Sequence, residues 1–137
     1  MHTWQGHVRD YELDIQQVVN NAVYLNYFEH ARHLMLRDIG IDFVTWHQQQ
    51  YDFMLVETNI KYLKPLKSRD YFTITSTIQR QGRVRIFFEQ NLKLQHSNEL
   101  MTSACCTAIC LDAARGRACM PKQLVDILDA ANACTKT

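Results

Sequence analysis

The chain has 137 residues, 47% of them hydrophobic, and a formal net charge of +1. That length and apolar share suit one well-filled core, so a single domain over residues 1–137 is expected, and the near-neutral, dispersed charge argues against nucleic acid as a partner. No segment approaches the roughly 18 consecutive apolar residues of a membrane span, and the N-terminus lacks the basic-then-apolar pattern of a secretory signal.

Residues 3–9 read as an N-terminal strand. Residues 21–40 carry Tyr24, Tyr27, Phe28, Ala31, Leu34, Met35 and Ile39 at the 3-and-4 spacing of one buried helical face. Asn20 and Asn21 are candidate caps, and Gly40 stands where a helix leaves through a left-handed residue. A short helix is expected over 42–50. The period then changes to two, with Met54, Val56, Thr58, Ile60 and Tyr62 on one face and Phe53, Leu55, Glu57, Asn59 and Lys61 on the other.

Residues 71–80 alternate Phe72, Ile74, Ser76 and Ile78 against three threonines. Gln81-Gly82 makes a tight turn, and residues 83–96 place Val84, Ile86, Phe88, Leu92 and Leu94 on one face. Ser97-Asn98-Glu99 turns the chain again before a last strand over 100–111. Pro121 is placed at the first position of a C-terminal helix running over 122–131.

Strands joined by short turns make an antiparallel meander. The fold class is α+β, a curved antiparallel sheet of about five strands wrapped around one long helix, because each needs the other to cover its apolar face. Such a sheet has open edges and an apolar outer surface, so self-association as a homodimer or homotetramer is expected. Cys105, Cys106, Cys110, Cys119 and Cys134 form no Cys-x-x-Cys pair and read as reduced thiols, which suits the cytoplasm.

The chemistry is concentrated between Val8 and Arg32. Asp14 precedes Val18-Val19, and Asn21, Tyr24, Tyr27, Glu29 and Arg32 follow on the helix. This pattern resembles the 4-hydroxybenzoyl-CoA thioesterase-like branch of the hotdog-fold thioesterases. Asn59-Ile60-Lys61-Tyr62-Leu63-Lys64-Pro65 and Asp70 extend the resemblance to nearly the whole chain. The blocks around Asp14 and Tyr24 are similar to the acyl-lipid thioesterases of plants and their bacterial relatives, which act on fatty acyl groups.

The resemblance implies a hotdog fold and hydrolysis of an acyl thioester carried on coenzyme A or acyl carrier protein. It implies that Asp14 attacks the carbonyl or activates a water, and that the Asn21 backbone N–H, seven positions on, polarises the carbonyl. Val18, Val19 and Tyr24 would line an acyl tunnel at a subunit interface. No cofactor is implied. Relatives often carry His or an aromatic residue at the Asn21 position and Gly at the Gln17 position, so a positive φ at Gln17 would store strain.

Taken alone, Asp14 reads as a loop carboxylate capping the helix or pairing with Arg9. Asp10 and Glu12 read as solvated or ion-paired, and Glu57 as a polar residue on the outward sheet face. Arg83, with Arg80 and Arg85, is a candidate for the carrier's phosphates, against an ordinary solvated hairpin. His30 and His33 lack a third ligand, so no metal is expected. A non-catalytic acyl-thioester binding module of the same fold is the alternative function, and a dehydratase would need a His-acid arrangement missing near this helix. Walker and Gly-x-Ser-x-Gly motifs are absent from the sequence.

Overall fold

A computed structural model describes residues 1–135, with side chains through Asn132. The reading of Cys134 as a thiol falls outside the described side chains, whereas Cys105, Cys106, Cys110 and Cys119 are free.

In chain order the elements are β1 (His2–His7), a single 3-10 turn (Asp10–Glu12), α1 (Asn21–Asp38), α2 (Phe43–Gln48), β2 (Tyr51–Tyr62), β3 (Tyr71–Gln81), β4 (Arg85–Leu94), β5 (Leu100–Asp112), β6 (Arg117–Cys119) and α3 (Lys122–Thr135). The strands form one antiparallel sheet in the order β1-β3-β4-β5-β2, with β6 also paired to β5. This is the hotdog arrangement, the sheet curling around α1.

Two apolar clusters fill the space between sheet and helices. Tyr24, Tyr27, Phe28 and Ala31 of α1 meet Phe72, Ile74 and Leu92 in the first. In the second, Met35 and Leu36 meet Ile78, Ile86, Phe88, Cys106 and Cys110, and Leu124 and Leu128 of α3 close its far side. Asn20 is the residue that caps α1, its side chain accepting from the Ala22 N–H at 2.9 Å. Gly40, at φ +100, turns the chain out of the helix as its position predicts.

Three sequence expectations are corrected. The first concerns β2, where a bulge between Leu55 and Glu57 inserts Val56 and shifts the phase of the strand. Residues opposite the buried Thr102, Ala104, Cys106, Ala108 and Cys110 are Tyr62, Ile60, Thr58, Leu55 and Phe53, so the inward face changes parity at the bulge. Uninterrupted alternation cannot anticipate one extra residue. Glu57, opposite Thr107, is exposed.

A sixth strand, β6, escaped detection because three residues carry no periodicity. It pairs with Cys110–Asp112 of β5, beyond the point where β4 begins opposite Ile109. Finally, Pro121 lies one residue before α3, its carbonyl accepting from Leu124 and Val125, and the helix runs to Thr135.

β2 lies at the edge of the sheet, and Met54, Leu55 and Val56 are 49%, 49% and 50% exposed. Among the described residues, no helix is long and apolar enough to cross a membrane.

Candidate active site

The turn that carries Asp14 is a miniature hairpin. Leu13 and Val19 bridge antiparallel, the Asp14 N–H donates to the Val18 carbonyl at 2.8 Å, and the Gln17 N–H donates to the Asp14 carbonyl at 3.0 Å. Such a three-residue loop needs a left-handed residue at its end, and Gln17 supplies it at φ 65. The Asp14 side chain organises the same turn, Oδ1 accepting from the Gln16 N–H at 2.8 Å and the Val18 N–H at 3.4 Å. Asp14 therefore caps its own turn rather than the helix, and Arg9 lies beside Glu12 instead, at 3.8 Å. Among the described residues, Asp14 Oδ2 has no partner.

Glu12 joins this turn to α1. Its carbonyl accepts from the Asn20 N–H at 3.0 Å, and its carboxylate accepts from the Arg9 N–H at 2.8 Å and the Tyr27 hydroxyl at 2.6 Å. Burial, reinforced by that bond, holds the Tyr27 phenol above its ordinary range. Sequence reasoning treated Glu12 as ion-paired or solvated. The signal it missed is an acid placed to meet a tyrosine on the buried face of the helix.

The first N–H groups of α1 are only partly used. Ala22 donates to the Asn20 side chain and Val23 to the Asn20 carbonyl, while the Asn21 N–H has no acceptor among the described residues. It stands at the positive end of an 18-residue helix. A cleft of about 150 Å³ opens there, walled by Val18, Val19, Asn21, Tyr24, Tyr62 and the segment 63–65. Tyr24 is nearly buried, its hydroxyl accepting from the Leu66 N–H at 3.0 Å, and burial raises its pKa.

Four of the six residues singled out from sequence thus line one cleft, and Asp14 lies in the turn that ends at Val18. Arg83 does not join them. It follows β3 at the end remote from Leu66, and an 11-residue strand spans roughly 35 Å at about 3.3 Å per residue.

A second hollow, about 250 Å³, lies between α1, α2 and β2, with Glu29, Arg32 and His33 above Phe43, Phe53 and Phe88. The Arg32 guanidinium donates to Gln90 Oε1 at 3.1 Å and to the Cys106 sulfur at 3.4 Å. Gln90, 1% exposed, donates in turn to the Phe28 carbonyl and the Ser76 hydroxyl, both at 3.0 Å. His30 packs edge-on against Trp4, and His33 against Phe43. Burial lowers the His33 pKa. Among the described residues, no three His, Cys, Asp or Glu side chains are grouped to hold a metal.

The family model described as "Thioesterase superfamily" matches residues 16–101, including the Val18–Tyr24 segment and the whole of α1. The chain belongs to the thioesterase superfamily. Among its superfamily relatives, the Arabidopsis thaliana acyl-acyl carrier protein thioesterase ATL2, chloroplastic, is 41% identical over 77% of this chain and 56% of its own length. The chain therefore spans little more than half of that plant protein. The long-chain acyl-CoA thioesterase FadM of Escherichia coli is 34% identical over 77% of this chain and 79% of its own length. The crystal structure of YbaW from Escherichia coli superposes with a TM-score of 0.84 at 30% identity, covering 96% of this chain and 98% of that one.

Proposed function

We propose that this superfamily member, acting as one hotdog domain over residues 1–137, hydrolyses acyl thioesters to a free acid and a thiol. The observation that supports this reading is a helix start whose Asn21 N–H has no acceptor among the described residues, opening on a cleft lined by Val18, Val19 and Tyr24, with the Asp14 turn closing on Val18. The Asp14 carboxylate attacks the thioester carbonyl or draws the proton from an attacking water. The oxygen gains charge as the carbonyl becomes tetrahedral, and the Asn21 N–H with the helix dipole stabilises it. The C–S bond then breaks and the carrier leaves as a thiolate, a weak base that needs little proton assistance. On the direct-attack route water then hydrolyses the mixed anhydride left on Asp14, and on the water route the proton held by Asp14 passes to the thiolate or to solvent.

The names of the plant and bacterial relatives support acyl carrier protein and coenzyme A respectively as carriers. Val18, Val19 and Tyr24 receive the acyl group. The exposed apolar edge of β2 supports self-association as a homodimer or homotetramer. Arg83, remote from the cleft of its own chain, meets carrier phosphates only if a second copy brings it there. The free thiols support residence in the reducing cytoplasm.

Steady-state hydrolysis of acyl-CoA and acyl-carrier-protein substrates of graded chain length tests the reading. Asp14→Asn is expected to lower kcat by about a hundredfold or more with the melting temperature retained. Normal turnover by that variant removes Asp14 from the chemistry. Tight acyl-thioester binding by the unaltered protein without turnover makes it a binding module instead.

A further inference from the structure

Tyr62 ends β2, and its hydroxyl donates to the backbone carbonyl of Asn21 at 3.1 Å. Asn21 is the first residue of α1, where the helix has fewest bonds of its own and end turns fray. A helix carbonyl has two lone pairs, so the tyrosine adds a second tie without displacing the helical one. The ring is itself fixed, edge-on to Tyr24 with centroids 5.3 Å apart and planes at 69°. Tyr24 in turn is anchored by the Leu66 N–H. Tyr62 remains 44% exposed and walls the cleft.

We propose that Tyr62 is a positioning residue for the Asn21 amide, holding the first turn of α1 where the thioester oxygen develops its charge. This rests on the thioesterase reading above. An oxyanion donor helps only when its direction is set before the reaction, and a small misplacement costs rate more than binding. A hydroxyl from the sheet fixes the helix start independently of the helix's own ladder. The bond is made to the backbone, so it is indifferent to the side chain at position 21.

The test compares Tyr62→Phe and Asp14→Asn with the unaltered protein, using a medium-chain acyl-CoA that the unaltered protein turns over. Tyr62→Phe keeps the ring and removes only the hydroxyl. Expected is a fall of about tenfold in kcat with KM within about twofold. The melting temperature and oligomer size should be unchanged, and amide hydrogen exchange at Ala22 and Val23, whose N–H groups are bonded to Asn20 across the first turn, should be faster. Normal kcat, or unchanged exchange at those amides, overturns the role of Tyr62 while leaving the Asp14 assignment intact. A loss of kcat matched by a general loss of thermal stability also overturns it, since the hydroxyl would then hold the fold as a whole and not the Asn21 amide in particular. Full activity of Asp14→Asn instead marks failure of the underlying reading.

Discussion

The Tyr27 hydroxyl sits 2.6 Å from Glu12 Oε1, linking the buried face of α1 to the chain just ahead of the Asp14 turn. A bond to a charged, part-buried acceptor contributes about 1.5–3 kcal/mol, against about 1 kcal/mol for an ordinary one. Tyr27→Phe is therefore expected to lose roughly 2 kcal/mol of stability in urea unfolding. Glu12→Gln, which keeps an acceptor, should lose less. A Tyr27→Phe variant with an unshifted urea midpoint would show that the bond contributes nothing net.

The same tyrosine predicts a pH response. Burial and the Glu12 bond raise the Tyr27 pKa, and burial raises that of Tyr24, so the folded state favours both neutral phenols. For a group raised on folding, its contribution is fully present below the unfolded pKa of about 10 and is lost as pH climbs toward the folded value. Unfolding free energy should be level in this respect up to about pH 9 and fall above pH 10. Tyr27→Phe should flatten part of that decline. An equal slope in the variant removes Tyr27 as its source.

Gln17 holds φ 65 with a side chain that disfavours it. A non-glycine residue pays on the order of 1 kcal/mol there, partly offset by the greater unfolded-state freedom of glycine. Gln17→Gly is expected to raise the melting temperature by about 2–4 °C with hydrolysis unchanged. A rise accompanied by loss of kcat would instead assign the strain to catalysis.

Gly6 lies opposite Phe72 across β1 and β3, and a Cβ there would meet Phe72 Cζ at 2.8 Å and Trp4 Cη2 at 3.1 Å. Phe72 is fully buried and packed by Tyr27 and Trp4, so it has little room to yield. Gly6→Ala should cost about 1–3 kcal/mol in urea unfolding. Combining it with Phe72→Leu should cost less than the sum of the two single changes, and simple additivity would show that the rings do not clash with the new methyl.

Much of this architecture was legible in the sequence because periodicity reports burial directly. Phe72, Ile74, Ser76 and Ile78 share the inner face of β3 as their spacing predicts, and on α1 Tyr24, Tyr27, Phe28, Ala31 and Met35 are buried as expected, whereas Leu34 and the C-cap Ile39 are only half-buried and the buried Leu36 falls outside the pattern. Val18, Val19, Asn21 and Tyr24 came from a motif resemblance, and they share one cleft. What stayed hidden depends on contacts between distant segments. Gln90 lies on the inner face of β4, a place that the apolar alternation of this strand does not assign to it, since only the approach of Arg32, Ser76 and the Phe28 carbonyl makes a buried amide tolerable. Glu12 and Tyr62 likewise acquire their partners only when turn, helix and sheet edge converge.

The extra residue at Val56 divides β2 between the two apolar clusters, Tyr51 and Phe53 packing on the second and Ile60 on the first. Each half of the strand keeps its own parity, so Phe53 and Leu55 before the bulge and Tyr62 after it all lie opposite inward-facing residues of β5. One strand thereby serves two places: its early residues wall the hollow beside Arg32, while its last residue is bound to the start of α1.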